Sequence, residues 1–394
     1  MSGSITIGPD RTGRIVAVAD GRIAERPADG APGLACPEAE IVPGAVCAHT
    51  HIYSGLAPYG MPAPDPKPAN FIEILQRVWW RLDRALDADS LRASARDYVA
   101  RALLAGTTSL IDHHESPALI EGSLAILAEA CEDLGIRALL CYGATERNFG
   151  REEARRGLAE TARVATSSRV RGLVGLHASF TVSDDTLREA GVLARDLGTG
   201  VHVHVAEAGD DIEDAKGRGY AGPLERLIAL DALPAGSIVA HGVHLSPDQV
   251  CRIEDRGCWL VQNPRSNEGN GVGYASSLAA SRKVALGADG WNPDMAEESQ
   301  ALARLAVAHG DTSAAGRLDA GRALIAEQFG VTAADFAPGA LGDMVVRQGG
   351  RVCHVVVDGR LVVRDGELVN GERSAIEAEA REQAAQLWRR MAAL

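Results

Sequence analysis

Short apolar runs recur through the middle of the chain, each followed by a longer stretch of helical periodicity. The runs are GAVCAHTH (44–51), TTSLIDHH (107–114), RALLCYG (137–143), RGLVGLHA (171–178), GVHVHVAE (200–207), SIVAHGVH (237–244), CWLVQNP (258–264) and KVALGADG (283–290). Strands so nearly continuously apolar suit a parallel sheet covered on its outer face by helices. The intervening segments, such as DSLRASARDYVARALLAG and EGSLAILAEACEDLG, carry helical apolar periodicity and end in glycine. Eight strands alternating with helices predict an α/β fold, a (β/α)8 TIM-like barrel.

The two chain ends have a different rhythm. SITIG, RIVAVADGRIAER and AEIVPG alternate apolar and polar residues around Asp-Gly turns, and DMVVR and RVCHVVVDGRLVVRDGEL repeat that pattern late in the chain. This predicts a small discontinuous β-domain built from 1–43 and 341–373, a barrel over 44–340 and a C-terminal helix over 374–394. The connection after the first barrel strand is rich in proline and glycine, so it reads as a loop forming a lid or pocket wall. Trp79 and Trp80 follow it and suit helix core and pocket lining equally.

Composition narrows the partners. A net charge of −13 argues against nucleic acid or an anionic membrane as partner. The seven cysteines are scattered, with no Cys-x-x-Cys pair, as buried thiols in a reducing compartment would be. The N-terminus lacks a basic-then-apolar signal pattern, and no apolar run approaches membrane-spanning length. The expectation is a cytoplasmic protein acting on a small molecule.

The chemistry collects at strand ends, where barrels of this kind place their active sites. His49 and His51 lie two apart at the end of the first strand, so they share a face. Later strand ends carry His113, His114, His177, His204, His241 and Asp289. Histidines scattered through a core would not respect strand ends. His202, two residues before His204, reads as a supporting or core-layer residue, and Glu207 sits just past the strand as a proton shuttle. Three histidines and an aspartate can hold one divalent ion and leave a place for water. Zinc comes first, with iron(II) and manganese as alternatives. No lysine ends the third or fourth strand to bridge two ions, which favours a single metal. Hydrolysis is the natural reaction class. Arg147, Asn263, Ser266, Asn267 and Trp291 are candidate substrate contacts, with a surface ion pair the competing reading for Arg147 and a structural turn that for Asn263, Ser266 and Asn267. His113 and His114 alternate faces, so one at most points inward, and Glu115 is placed to reach the pocket.

The motifs PGAVCAHTH, HVAE, AHGVHLS, NPRSNEGNGVG, LGADG and APGALGDMVV together resemble the amidohydrolase superfamily, in its single-metal branch. IDHHESP, LCYGATERN, GLHASFTVSDDTL, HVAEAGDDIEDAKGRG and ADGWNPDM are similar to the ATZ/TRZ-type chlorohydrolase and aminohydrolase group, most of all to SsnA-type aminohydrolases. The resemblance implies that His49, His51, His204 and Asp289 bind the metal. It implies that His241 and Asp289 orient and deprotonate water, that Glu207 passes a proton to a ring nitrogen, and that His177 contacts substrate. It implies hydrolytic deamination of an aminated nitrogen heterocycle, purine, pyrimidine or pterin-like. Hydrolysis of a cyclic amide or ureide, or dehalogenation of a triazine-like ring, is the alternative at the same site, and a non-catalytic scaffold is the third reading. A homodimer is also implied.

Overall fold

The computed structural model describes residues 3–394. The barrel strands are Ala45–Thr50, Thr107–His114, Arg137–Ala144, a fourth in two pieces (Val170–Gly172 and Val174–Ala178), Val201–Val205, Ile238–His241, Trp259–Gln262 and Val284–Leu286. They pair in parallel, in chain order, from first to eighth. The ring closes just beyond the last strand. Ala288 and Asp289 donate their N–H groups to the carbonyl of His49 at 3.0 Å, and His51 donates to the carbonyl of Asp289 at 3.2 Å. Closure therefore brings the eighth strand's aspartate against the first strand's histidine pair. The α/β barrel expected from the apolar runs is the fold found.

Both chain ends form antiparallel sheet. Ile5–Ile7, Val16–Ala19 and Arg22–Ala24 make one meander, joined in parallel by Gly33–Leu34. Glu40–Pro43 crosses over to pair with Met344–Gln348, which continues into Arg351–Val357 and Arg360–Arg364. The buried guanidinium of Arg137, at the start of the third barrel strand, pairs with Asp343 at 2.7 Å and ties barrel to sheet.

All eight residues of Thr107–His114 are buried, because helices cover the strand outside and other strands fill the space inside. Helix Ala88–Ala105 begins with a capping box between Asp87 and Ser90 and ends at Gly106, whose φ of 87° suits glycine. At the barrel end remote from the histidines, Val46, Ile238 and Trp259 pack on Leu324 and Phe329 of helix Arg317–Phe329.

The segment after the first strand becomes structured as it returns. A short helix, Phe71–Ile74, runs into a π-helical turn, Leu75–Trp79, and then helix Trp80–Ala85. The wide π turn resets the helix face, a geometry common at functional sites. The C-terminal helix Arg373–Ala393 braces this segment. Arg390 reaches the carbonyl of Ala85 at 2.8 Å, Trp388 the carbonyl of Tyr59 at 3.0 Å, and Arg81 returns to the carbonyl of Met391 at 2.8 Å. Among the described residues, no helix is long and apolar enough to cross a membrane.

Candidate active site

Alternation along the first strand sends His49 and His51 to one side, and barrel closure supplies Asp289 opposite them. Nε2 of His51 lies 2.9 Å from Oδ1 of Asp289, and Nε2 of His49 lies 3.4 Å from the same oxygen. Nε2 of His204 is 3.3 Å from Nε2 of His51. One ligand atom from each of the four residues falls within 4.8 Å of the others. Two imidazole nitrogens that close, with no proton-bearing partner between them, make chemical sense around a cation.

The opposite ring edges agree. Nδ1 of His51 donates to the carbonyl of His113, and Nδ1 of His204 to that of His177, each at 2.5 Å. Those bonds put the protons on Nδ1 and leave Nε2 a lone pair, the tautomer that a metal requires. His49 contacts Nε2 of His202 through Nδ1 at 2.9 Å, while its own buried Nε2 has no hydrogen-bond partner. Burial pushes the His49 imidazole down to about 3, so it stays neutral. An orphaned imidazole nitrogen, tautomers fixed at His51 and His204 and a facing carboxylate fit a divalent cation.

Glu207 and His241 face this cluster. Oε2 of Glu207 lies 3.6 Å from Nε2 of His241, and the amide of Asn270 donates to Oε1 of Glu207 at 3.3 Å. Burial raises the Glu207 pKa, which favours the protonated acid, and His241 partly offsets it. Nδ1–H of His241 donates to Oδ1 of Asn267 at 2.9 Å, so Nε2 points into the site as a lone pair. Ser266 donates to Oδ2 of Asp289. Ala206, His241 and Asp289 have φ of 51°, 70° and 53°. Left-handed backbone at non-glycine residues costs about 1–3 kcal/mol each, so geometry at these three strand ends is held against preference.

A cavity of about 680 Å³, its open mouth included, lies over these groups. His51, His204, Glu207, Asp289 and His177 line it, as do Trp79 and Trp80, whose pocket-lining reading is the one found. His177 points Nδ1 at Thr181, 3.0 Å away. Glu115 reaches the cavity, with its carboxylate 2.6 Å from Nδ1 of His113.

Three expected substrate contacts fall elsewhere. Trp291 is 46% exposed and stands outside the cavity, against Arg265 and Gly269, because the turn after Asp289 directs it outward. Arg147 is buried behind Trp80. It pairs with Asp83 at 2.8 Å, and its guanidinium lies 4.8 Å from the Trp80 ring centre, so it supports the wall rather than facing substrate. Asn263 is wholly buried, its amide nitrogen 3.3 Å from Nδ1 of His241. Asn263, Ser266 and Asn267 thus hold catalytic candidates in place.

Sequence reasoning missed Asp83, Asp211, Asn270, Phe71, Leu75 and Phe180, all of which line the cavity. Asp211 had a signal, an acid in the first turn of the helix that follows Glu207. The others come from loops and helices whose facing is set by distant packing.

Comparison with known proteins places these features in context. The model of the amidohydrolase family matches residues 41–362. A 5'-deoxyadenosine deaminase from Methanopyrus kandleri is 29% identical, over 88% of this chain and 86% of that protein. A 5-methylthioadenosine/S-adenosylhomocysteine deaminase from Natronomonas pharaonis is 28% identical, over 95% of this chain and 92% of that one. Among solved structures, a zinc-bound adenosine deaminase from Xanthomonas campestris superposes with a TM-score of 0.81 at 22% identity, covering 98% of both chains. The zinc complex of atrazine chlorohydrolase from Arthrobacter aurescens does so with a TM-score of 0.72 at 17% identity, covering 96% of this chain and 100% of that one.

Proposed function

Because this chain belongs to the amidohydrolase family, we propose that it is a metal-dependent hydrolytic deaminase of an aminated nitrogen heterocycle, adenine nucleosides foremost. One observation carries the reading. The buried carboxyl of Glu207, whose pKa burial raises, shares a small space with His241 and with the cluster of His49, His51, His204 and Asp289. The four-residue cluster would hold the metal, and zinc suits its nitrogen and oxygen donors.

The ion, when bound, acidifies water toward neutral pH and polarises it for attack. Everything else comes from the chain. Glu207, its carboxyl steadied by the Asn270 amide, gives a proton to the ring nitrogen beside the amino-bearing carbon. That carbon becomes electrophilic and accepts the water oxygen. His241, oriented by Asn267, and Asp289, oriented by Ser266, take the proton that the water releases. Returned to the amino group, that proton lets the carbon–nitrogen bond break with both electrons on nitrogen, so ammonia leaves, and the added hydroxyl gives its remaining proton back to Glu207 as the carbon–oxygen double bond forms. Trp79 and Trp80 supply flat apolar faces for the ring. Displacement of halide from a triazine-like ring would use the same groups without the final protonation.

The test is a screen of metal-loaded protein against aminated purines, pyrimidines, pterins and chlorinated triazines, read as ammonia or chloride release. Ammonia from a purine supports the proposal, and chloride release alone would replace it with the halide reading. Glu207→Gln should lower kcat by about 10²–10⁴ while bound metal stays unchanged. Normal turnover in that variant ends the mechanism.

A further inference from the structure

One short helix reaches three of the groups that handle protons. Helix Pro264–Gly269 follows the seventh barrel strand, and Asn270 caps its end. Ser266 donates to Oδ2 of Asp289, Asn267 accepts from Nδ1 of His241 at 2.9 Å, and the amide of Asn270 donates to Oε1 of Glu207 at 3.3 Å. A shift of this helix would disturb all three groups at once. Six residues cannot hold a helix by their own hydrogen bonds, since isolated helices below about 12–15 residues are marginal. Its seat has to come from what it packs against.

Arg265 supplies that seat. It points away from the cavity, into a groove on the outer surface, with its side chain 11% exposed. Its backbone N–H donates to Oε1 of Glu298 at 2.9 Å, and its Nε donates to Oε2 of the same carboxylate. The other guanidinium nitrogens reach the turn that follows Asp289. Nη2 donates to the carbonyl of Asn292 at 2.8 Å, and Nη1 to the side-chain oxygen of Asn292 at 3.2 Å and to Glu297 at 2.8 Å. Glu298 lies on helix Met295–His309 and is wholly buried. One side chain thus fastens the loop after the seventh strand to the turn and the helix after the eighth.

A second tie between the two helices, Glu268 with Arg304, is open to solvent, and surface pairs of that kind contribute little. Taking a charged pair out of water offsets much of what its attraction gains, so the worth of the Arg265–Glu298 pair lies in geometry more than in stability. The planar guanidinium fixes direction in a way that a lysine ammonium does not.

Resting on the deaminase reading above, we infer that Arg265 and Glu298 are positioning residues that align Glu207, His241 and Asp289 for proton transfer. They act through Ser266, Asn267 and Asn270, not by contact with substrate.

The experiment uses Arg265→Ala in the metal-loaded full chain, on a heterocycle that the native protein turns over in the screen above. kcat per bound metal should fall about a hundredfold, the scale of a small misplacement of reacting groups, while KM stays within about twofold. The vacated space opens to the outer groove, so added guanidinium ion should restore part of the lost kcat. Arg265→Ala/Glu298→Gln strands no buried carboxylate. It should lose kcat as far and gain nothing from guanidinium, and it carries the test if the single variant does not fold. A second readout needs no turnover. In zinc-loaded protein with isotope-labelled histidine, the Nδ1–H resonance of His241, assigned by its loss in Asn267→Ala, should shift or broaden in both variants and recover with guanidinium in the single one. A native kcat, a loss confined to KM, a His241 resonance that stays in place, or guanidinium that restores neither readout in Arg265→Ala overturns the inference. If the native chain turns over nothing in the screen but the His241 resonance behaves as expected, the deaminase reading falls and the positioning role stands.

Discussion

Asp211 offers the sharpest quantitative test of the site. Its carboxylate accepts the N–H of Ala206 at 2.7 Å, and Ala206 holds a left-handed φ of 51° one residue before Glu207. Burial raises the Asp211 carboxyl from 3.8 to about 7. In the unfolded chain the group ionises near pH 4, whereas in the fold it keeps its proton to about pH 7. Between those values the folded state binds more protons than the unfolded one, so stability falls as pH rises and then levels off. At about 1.4 kcal/mol per pH unit over roughly three units, the loss is on the order of 4 kcal/mol. Asp211→Asn keeps an acceptor for Ala206 but cannot ionise. Asp211→Ala removes the acceptor and strands a buried N–H, at about 1–3 kcal/mol at every pH.

The assay is denaturant unfolding of metal-loaded protein from about pH 5 to pH 8. Taking each variant minus the native chain cancels all other titrations. Asp211→Asn should gain on the native protein as pH rises, while Asp211→Ala should gain with the same slope from a lower starting point. The alanine variant should also lose about tenfold or more in kcat/KM, because the corner carrying Glu207 loosens. A difference between Asp211→Asn and the native chain that is flat across pH would refute the linkage.

Stripping the metal with a chelator should abolish turnover and lower the melting temperature, with zinc restoring both; at 100 to 1,000 times Kd the ion contributes about 3–4 kcal/mol. A chelated protein that melts unchanged would argue against a resident ion. Gly287→Ala would place a Cβ 2.5 Å from Oδ1 of Asn263 and 2.8 Å from the backbone of His49, so it should destabilise by about 1–3 kcal/mol and weaken metal retention, measured by unfolding and elemental analysis. Trp291→Ala should leave kcat/KM within about twofold, since an exposed ring outside the cavity makes no ligand contact; a large loss would return Trp291 to the substrate site.

Much of this molecule is written locally. Eight apolar runs specify strands because a strand covered on both faces must be apolar on both. His49 and His51 share a face because side chains alternate. His204, His241 and Asp289 follow from the same rule at later strand ends. What the chain could not declare is the facing of residues whose neighbours are distant in sequence. Arg147 is drawn behind the wall by Asp83, 64 positions away. Trp79 and Trp80 turn inward through a π-helical turn braced by the C-terminal helix, while Trp291 turns outward. Asn267 accepts from Nδ1 of His241, and Asn263 is buried beside it. The gathering of His49, His51, His204 and Asp289 was therefore legible from strand periodicity, which is a backbone property. The character of the cavity, aromatic and acidic with its cations turned away, was decided by tertiary packing, because side-chain direction in loops and short helices is set by whatever they are packed against.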